Sequence, residues 1–575
     1  MPTIILGGGI IGASIAYYLS AQNPKEEIHI VESSSQLFSA ASGYAAGFLA
    51  KDWFAPSLAP LGALSFDLHD ELAVQNGGDK KWGYMKGTAF SLDVASSKKS
   101  GARGDDWLRH GTSRAETAAG SVEGADYEPP AWLTKQKGGS VEKISSGNDT
   151  VAQVDPLRLS QYLMDTSISR GVKLHHPAKA VSLVTDQGAG TITGVKILNF
   201  STKIGSTLPC TKLIVAAGPW TPGVFKELFP SSKASLPISP LAGYSLVFRS
   251  PRYTLARERE TYQGRSHAVF TTHPSSCGFS PEIFSREGGE IYIAGLNSTE
   301  IPLPPRAEDT HKLIDPAEQA KLRDVTVRLM GKLADGHEES TDEAANIDDL
   351  ETLREGLCFR PVSSRGVPIV SRVTDELLGG GIKGDVFVAS GHGPWGISLA
   401  LGTGKVIAEM IEGLQPSADN PAYDPKNKMN PSQLQNHFDA FYEDVWCEMC
   451  KYGELEELVV CDNNNDHLIG NVYARFKYEE DAQTACDTLN SRWYAARPIY
   501  CELSPVTDFR EACCRLNSGE GCVRGGFCNF IHRKDPSAEL DRELRLSTKK
   551  WLKERGRDAR SVSRSPSPEP TRRRY

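Results

Sequence analysis

Along the first 411 residues, short apolar runs are set between glycine-rich turns and helical patterns. Residues 3–6 form an apolar run, Gly7-x-Gly9-x-x-Gly12 follows, and a helical pattern continues through Ile15, Ala16 and Leu19. The stretch EIHIVES predicts a second strand ending at Glu32, twenty residues past Gly12. KLIVAAGPW (212–220) predicts a buried strand ending in small residues. DVFVASGHGPWGISLALGTGKVIAEMI (385–411) repeats strand, glycine-rich loop and helix. GYSLVF and EIYIAGL read as strands, and the polar, glycine-rich stretch 96–120 reads as a surface loop.

Strand, glycine turn and helix in that order suit a dinucleotide. Gly7, Gly9 and Gly12 permit a tight turn, a close backbone approach to a pyrophosphate and tight packing of helix on strand. The helix N-terminus offers N–H groups and a positive dipole. A carboxylate at Glu32 can accept hydrogen bonds from ribose hydroxyls and repels a 2′-phosphate. In the 385–411 repeat, His392 and Trp395 are expected to pack rather than to act as bases.

After KVIAEMIEGL the pattern stops, and residues 416–433 have the Pro, Asn, Ser and Lys content of a linker. Then come an amphipathic helix (434–453), the strands ELEELVVCD and GNVYARFKY, the helix EEDAQTACDTLNSRWY and the strand RPIYCELSP. This is a βαββαβ RNA-recognition fold lacking its first, central strand. Further on, Cys514-x₇-Cys522-x₅-Cys528-x₃-His532 sets three thiolates and an imidazole at the intervals of a closed tetrahedral Zn²⁺ site. Cys513 is the adjacent alternative to Cys514. Phe527 and Phe530, flanked by Arg524 and Arg533, suit single-stranded RNA or packing about a small metal core.

A length of 575 residues is too great for one core, and the formal charge of −8 gives no global argument for nucleic-acid binding. Residues 541–575 are locally dense in Lys and Arg. Only Cys210, Cys277 and Cys358 precede residue 447, whereas nine cysteines lie between Cys447 and Cys528, which favours reduced thiols and metal over disulfides. No long apolar run or secretory leader is recognisable, so a soluble, intracellular protein with no membrane partner is expected.

Residues 1 to about 415 resemble the FAD-dependent D-amino acid oxidase and sarcosine/glycine oxidase family. The carriers are GGGIIG, Glu32, AASGYAAGFLA (with Ser42), IVAAGPW (with Ala217 and Gly218), CFRPVSSRGVPIV and GHGPWGISLALGTGK (with Gly391, Gly393 and Gly396). The resemblance implies an FAD-binding fold assembled from pieces at about 1–90, 150–235 and 355–415. It implies a substrate-binding, mostly antiparallel sheet at about 236–354. The chemistry implied is hydride transfer from a carbon beside nitrogen to flavin N5, with hydrolysis of the resulting imine and electrons passed to O₂ or another acceptor. Arg360 matches a position that holds the substrate carboxylate, Cys358 one that links covalently to flavin in some relatives, and Tyr244 a substrate-pocket residue. The helix after the second glycine loop would direct its dipole at the flavin O2 edge.

Residues from about 420 to 560 resemble the small subunit of the U2 snRNP auxiliary factor. The carriers are DAFYEDVWCEMCKYGELEELVVCDNNNDHLIGNVYARF, NSRWY, ELSPVTDFREACC and the zinc module. The resemblance implies that Asp444, Glu448, Arg492, Trp493 and Tyr494 bind a peptide of the large subunit. It further implies that the zinc module, with Arg524, Phe527 and Phe530, helps recognise the 3′ splice site of pre-mRNA. Asn471 stands where an RNA-reading strand wants an aromatic. The family's first zinc module and opening strand are missing from the match.

The expected fold class is therefore α/β plus α+β multidomain. It comprises a Rossmann-like FAD-binding fold with an antiparallel substrate sheet (1–415), a join (416–433) and an incomplete RNA-recognition motif (434–505). A CCCH zinc finger (508–534) and a disordered, basic Arg-Ser-like tail (535–575) carrying Ser565 and Ser567 before prolines complete it. The expected function is oxidation of an amine or amino/imino acid, fused to a truncated splicing module. The alternatives are a protein that acts chiefly in splicing and a merger of two separate genes. A nuclear location follows if the C-terminal module governs, a cytoplasmic one otherwise.

Overall fold

The computed structural model describes the chain except residues 1, 55–56, 95–127, 145–148, 187, 273–278, 342–343, 365, 419–430, 464–467, 469, 491, 495–496, 505, 507, 516–529 and 555–575. At 431–437, 440, 493–494, 497–498, 510 and 552–554 the backbone alone is described. The surface-loop expectation at 96–120 lies outside the described residues. The chain divides into two compact units, residues 1–427 and 428–575.

In the first unit, a six-stranded sheet runs in the order Ile369–Val373, Asp385–Ser390, Lys212–Val215, Thr3–Leu6, Ile28–Val31, Lys173–His175. Every pair is parallel except the first. Thr3–Leu6, Ile28–Val31 and Lys212–Val215, each apolar but for one residue, are buried throughout, as strands of a parallel sheet covered on both faces should be. The glycine-turn helix Ile10–Gln22 packs on the helix Ala400–Ile411, whose Gly404 lies so close that an added Cβ would sit 2.6 Å from Ser14 backbone carbon.

A nine-stranded sheet runs Glu351–Ser363, Ile238–Arg249, Glu290–Ser298, Glu282–Arg286, Ser266–Thr272, Met85–Asp93, Val151–Gln153, Phe48–Ala50, with Ser140–Lys143 also paired to Met85–Asp93. Its pairs are antiparallel except Ser266–Thr272 with Met85–Asp93. It reaches beyond 236–354, because strands at 48–50, 85–93, 140–143, 151–153 and 355–363, expected outside it, complete its edges. Open sheet edges are satisfied by whichever segments reach them, and that pairing is long-range.

In the second unit, the helix Pro431–Cys450, the antiparallel strands Leu455–Cys461 and Val472–Phe476 and the helix Glu479–Leu489 follow the expected order. The strand expected over 497–505 is reduced to Arg497–Pro498, paired with Trp493–Tyr494 in a short hairpin. The third position in the sheet is taken by Arg533–Lys534, beside Leu455–Cys461. Among the described residues, Val472–Phe476 is an edge strand.

The disordered tail is corrected over part of its length: Ala538–Glu554 is a helix. Leu544 is buried with Phe438, Tyr442 and Trp446, Trp446 Nε1 donates to Thr548 Oγ1 at 3.0 Å, and Arg545 lies over the Trp446 ring. An apolar seam facing the first helix outweighs the high charge of this segment. Residues 555–575, including Ser565 and Ser567, lie outside the described residues. Leu544→Ala should weaken this core by about 2–4 kcal/mol. Hydrogen exchange in the full chain should then lose protection along 538–554 while 212–215 is unchanged.

Candidate functional site

The turn after the first strand is built from contacts that exclude side chains. Gly7 has φ +114°, and a Cβ there would lie 2.4 Å from the Ala216 carbonyl oxygen; a Cβ on Gly12 would lie 2.0 Å from the Gly7 carbonyl oxygen. Ser42, from a distant segment, accepts the Ile10 N–H at 2.9 Å and so caps the helix that Gly9 opens. Glu32 accepts the Gly8 N–H at 2.7 Å and the Ser34 N–H at 2.8 Å, each on a different oxygen. Oε1 also accepts from the Ser33 hydroxyl at 3.5 Å, while Oε2 retains a lone pair.

These groups border a cavity of about 500 Å³ at the carboxyl ends of the parallel strands. Gly7, Gly9, Glu32, Ser42, Ala217, Gly218, Gly393, Gly396, Cys358 and Arg360 all line it. Gly12 lies beneath the turn, and Gly391, with φ +85°, turns the chain between the lining residues Ser390 and His392. His392 is 4% exposed; its Nε2 meets Thr403 Oγ1 at 3.0 Å, and burial pushes its pKa down to about 3. It is neutral, as a packing residue should be. Trp395 joins the buried ring cluster of Phe48 and Phe54.

The nine-stranded sheet supplies the opposite wall. Arg360 Nη1 donates to Asn297 Oδ1 at 2.6 Å, passing over Gly243, where a Cβ would lie 2.3 Å from that nitrogen. Cys358, two residues earlier on the same face, is buried; desolvation pushes its thiol up against the opposing pull of Arg360 and Arg354. Tyr244 does not line the cavity. It is opposite Leu357, one residue out of phase with Cys358 and Arg360, and its hydroxyl accepts the Asp315 N–H at 3.2 Å behind the sheet. Period-two alternation decides this, and the sequence pattern did not say which face looks inward.

Tyr292 and Glu282 are among the lining residues that went unpredicted. Tyr292 donates to the Tyr44 carbonyl at 3.1 Å and is stacked under Arg286, which itself donates to the Ala45 and Ala46 carbonyls at 2.7 Å. Together they fasten the AASGYAAG segment to the nine-stranded sheet. The signal for Tyr292 was present in EIYIAGL, whose alternation puts Tyr292 and Ala294 on one face.

In the second unit, the Cys514 N–H donates to the Ile531 carbonyl at 2.8 Å, bringing Cys514 and His532 onto adjacent backbones. His532 is 6% exposed, its N–H donates to Asn463 Oδ1 at 2.7 Å, and its Nε2 has no hydrogen-bond partner among the described residues. A buried imidazole nitrogen left open, on a backbone adjacent to that of a cysteine, suits a zinc ligand. Cys513 packs instead against the cluster of Val459, Cys461 and Phe509. Cys522, Cys528, Arg524 and Phe527 lie outside the described residues, within which no group of three or more metal-ligating side chains assembles.

Phe530 is half-exposed. Glu448 accepts from Lys451, Tyr452 and Arg492; partial burial raises its pKa, but these donors outweigh that and hold the carboxyl below its usual range. Glu448 and Arg492 are therefore brought together, tying the helix end to the hairpin that begins at Trp493. Asp444 lies one turn before Glu448 on that helix, and the Trp493 and Tyr494 side chains lie outside the described residues.

The family model "FAD dependent oxidoreductase" (DAO) matches residues 3–410. The chain belongs to this family. Among solved structures, the fold of this DAO-family oxidoreductase is similar to glycine oxidase from Geobacillus kaustophilus, with a TM-score of 0.52 and 20% identity over 73% of this chain and 96% of that one. It is likewise similar to iminodiacetate oxidase from Chelativorans sp. BNC1, with a TM-score of 0.51 and 19% identity over 74% and 99%.

Over its C-terminal part the chain is 61% identical to the splicing factor U2AF 23 kDa subunit of Schizosaccharomyces pombe, across 134 residues, 23% of this chain and 62% of that protein. It is 53% identical to the U2af 38 kDa subunit of Drosophila melanogaster across 140 residues, 24% of this chain and 50% of that protein. The chain thus spans half to three-fifths of these two relatives' length. No helix among the described residues is long and apolar enough to cross a membrane.

Two outcomes follow. Gly12→Val puts side-chain atoms where the Gly7 carbonyl lies, so the purified protein should lose most of its flavin, read as flavin per chain. Buried His392 (pKa about 3) and His69 (pKa about 4, lowered by burial) stay neutral in the fold while the unfolded chain protonates them below about 6.5. Stability should therefore fall with pH from about 6.5 toward 4, by up to about 1.4 kcal/mol per pH unit for each histidine. His392→Asn should flatten that slope in denaturant titrations.

Proposed function

We propose that the first unit oxidises an amine or an amino or imino acid at a carbon–nitrogen bond, with O₂ or another compound as final electron acceptor. The observation that carries this reading is one cavity with a dinucleotide turn at one end and a guanidinium at the other. FAD, when bound, supplies the hydride acceptor at flavin N5. The Gly7 N–H is held by the Val31 carbonyl, so Gly9 and the first turn of the Ser42-capped helix would receive the pyrophosphate on backbone N–H groups, and Glu32 would receive a ribose hydroxyl on Oε2. Gly12 keeps that helix close to its strand. Ala217, Gly218, Gly391, Gly393 and Gly396 keep side chains out of the path of the ring. Arg360, pre-oriented by Asn297, holds the substrate carboxylate in a bidentate pair. Cys358, raised by burial, stays a neutral thiol, which favours non-covalent flavin.

The test is anaerobic bleaching of the flavin by a panel of amino and imino acids. Bleaching by at least one supports the reading; none bleaching rejects it. Arg360→Met should lower kcat/KM for carboxylate substrates by about 10- to 100-fold, since hydrogen bonds to charged groups contribute about 1.5–3 kcal/mol. Amines without a carboxylate should be affected little.

For the second unit we propose a zinc-stabilised module that binds a peptide of the auxiliary factor's large subunit and 3′ splice-site RNA, which implies a nuclear location. Cys514, Cys522, Cys528 and His532 would hold the metal; Asp444, Glu448, Arg492, Trp493 and Tyr494 would face the peptide, and Arg524, Phe527 and Phe530 the RNA. The open, buried His532 Nε2, on a backbone adjacent to Cys514, supports the metal reading. Elemental analysis of the full chain should find zinc, lost in Cys514→Ser and retained in Cys513→Ser; the reverse pattern would reassign the ligand.

A further inference from the structure

Residues 304–308 follow the strand Glu290–Ser298 and are tied to two loops of the parallel sheet. At one end the Pro304 carbonyl accepts the Trp220 Nε1–H at 2.7 Å. At the other, Glu308 Oε2 accepts the Ser34 hydroxyl at 2.6 Å and also the Ser35 N–H. Pro305 and Ala307, between these anchors, line the cavity, as do Trp220 and Ser34. Trp220 follows the strand Lys212–Val215 and Ser34 follows Ile28–Val31; between those two strands lies Thr3–Leu6, which leads into the Gly7 turn. The segment therefore bridges the two loops that flank the dinucleotide turn.

Its Glu308 end is built around a charge. Glu308 Oε1 pairs with Arg306 Nη1 of the same segment at 2.8 Å. Partial burial raises the carboxyl pKa, but the Ser34 hydroxyl, the Ser35 N–H and Arg306 outweigh that and hold it below its usual range. Hydrogen bonds to such an ionised acceptor are about twice as strong as neutral ones. Ser34 is 2% exposed, and its N–H donates to Glu32 Oε1 at 2.8 Å. With its single hydroxyl proton on Glu308, Ser34 accepts from Ser39 Oγ at 2.8 Å. Glu308 thus holds down the loop that carries Glu32.

We propose that residues 304–308 are a strap across the adenosine end of the cavity and that Glu308 is its latch. The strap lifts for FAD to enter or leave, and the ionised Glu308 opposes the lifting. Glu308 is a positioning residue, since it acts through Ser34 and Ser35. This rests on the reading that Glu32 receives the adenosine ribose, but it concerns the passage of the cofactor and is tested without turnover.

The experiment uses the full-length flavoprotein. Release is followed as free FAD in the filtrate after dilution, and entry as the return of bound-flavin absorbance when FAD is added to the deflavinated chain. Glu308→Ala should speed release by about 10-fold or more and entry by about threefold or more, because one barrier governs both directions. Glu308→Gln, which keeps an acceptor but no charge, should fall between, and it carries the test if the alanine variant does not fold. Faster release with entry unchanged or slowed would make Glu308 a contributor to affinity or folding alone and overturns the proposal. Release at the wild-type rate overturns it too. Glu32→Ala separates the two readings, with faster release and unchanged entry expected. If Glu32→Ala changes neither rate while Glu308→Ala speeds both, the ribose reading fails and the latch stands.

Discussion

Backbone contact at Gly7 is the constraint on which the larger unit depends. The Gly7 carbonyl occupies the space a Gly12 side chain would need, and Gly7 itself lies against the Ala216 carbonyl. Three elements separated by up to about two hundred residues therefore meet without side chains between them. That meeting sets the first helix over the first strand, places the strand Lys212–Val215 beside it, and leaves the helix N-terminus open toward the cavity. A single added methyl would push these backbones apart, and the carboxyl ends of the strands would no longer converge.

The second wall depends on parity. Alternation along Glu351–Ser363 sends Cys358 and Arg360 inward, and the absence of a side chain at Gly243 lets the guanidinium lie across the neighbouring strand. The bulge at Leu296 restores Asn297 to the inner face to receive it. Arg286 and Tyr292 then fasten the segment 44–46 against this sheet, so that the two walls share one rigid seam. A buried guanidinium satisfied by backbone carbonyls is costly to move, which favours a preformed site.

The smaller unit shows how a core is made when a central strand is missing from its pattern. Leu544, from the charged helix Ala538–Glu554, covers Phe438, Tyr442 and Trp446. Arg533–Lys534, directly after His532, adds to the sheet on the outer side of Leu455–Cys461. His532 is thereby continuous with the sheet, so order at His532 and order in the strands are coupled.

The sequence by itself determined the local units. The Gly7, Gly9 and Gly12 turn, its strand and helix, the repeat at 385–411 and the order from helix Pro431–Cys450 to helix Glu479–Leu489 were all legible, because each rests on spacing within one element. Its placing of Arg360, Cys358 and Ser42 at one site came from motif resemblance and that of Glu32 from its spacing past Gly12, and the cavity brings them together. Tertiary structure decided what local spacing cannot carry: which face of Ile238–Arg249 looks inward, which removed Tyr244; which distant strands complete the nine-stranded sheet; and that Glu282 and Tyr292 reach the cavity. It also decided that a basic segment folds as a helix, because burial of Leu544 depends on an apolar face about a hundred residues away. A side chain's chemistry is written in its residue type, but its direction is fixed only when strand register and sheet pairing are complete.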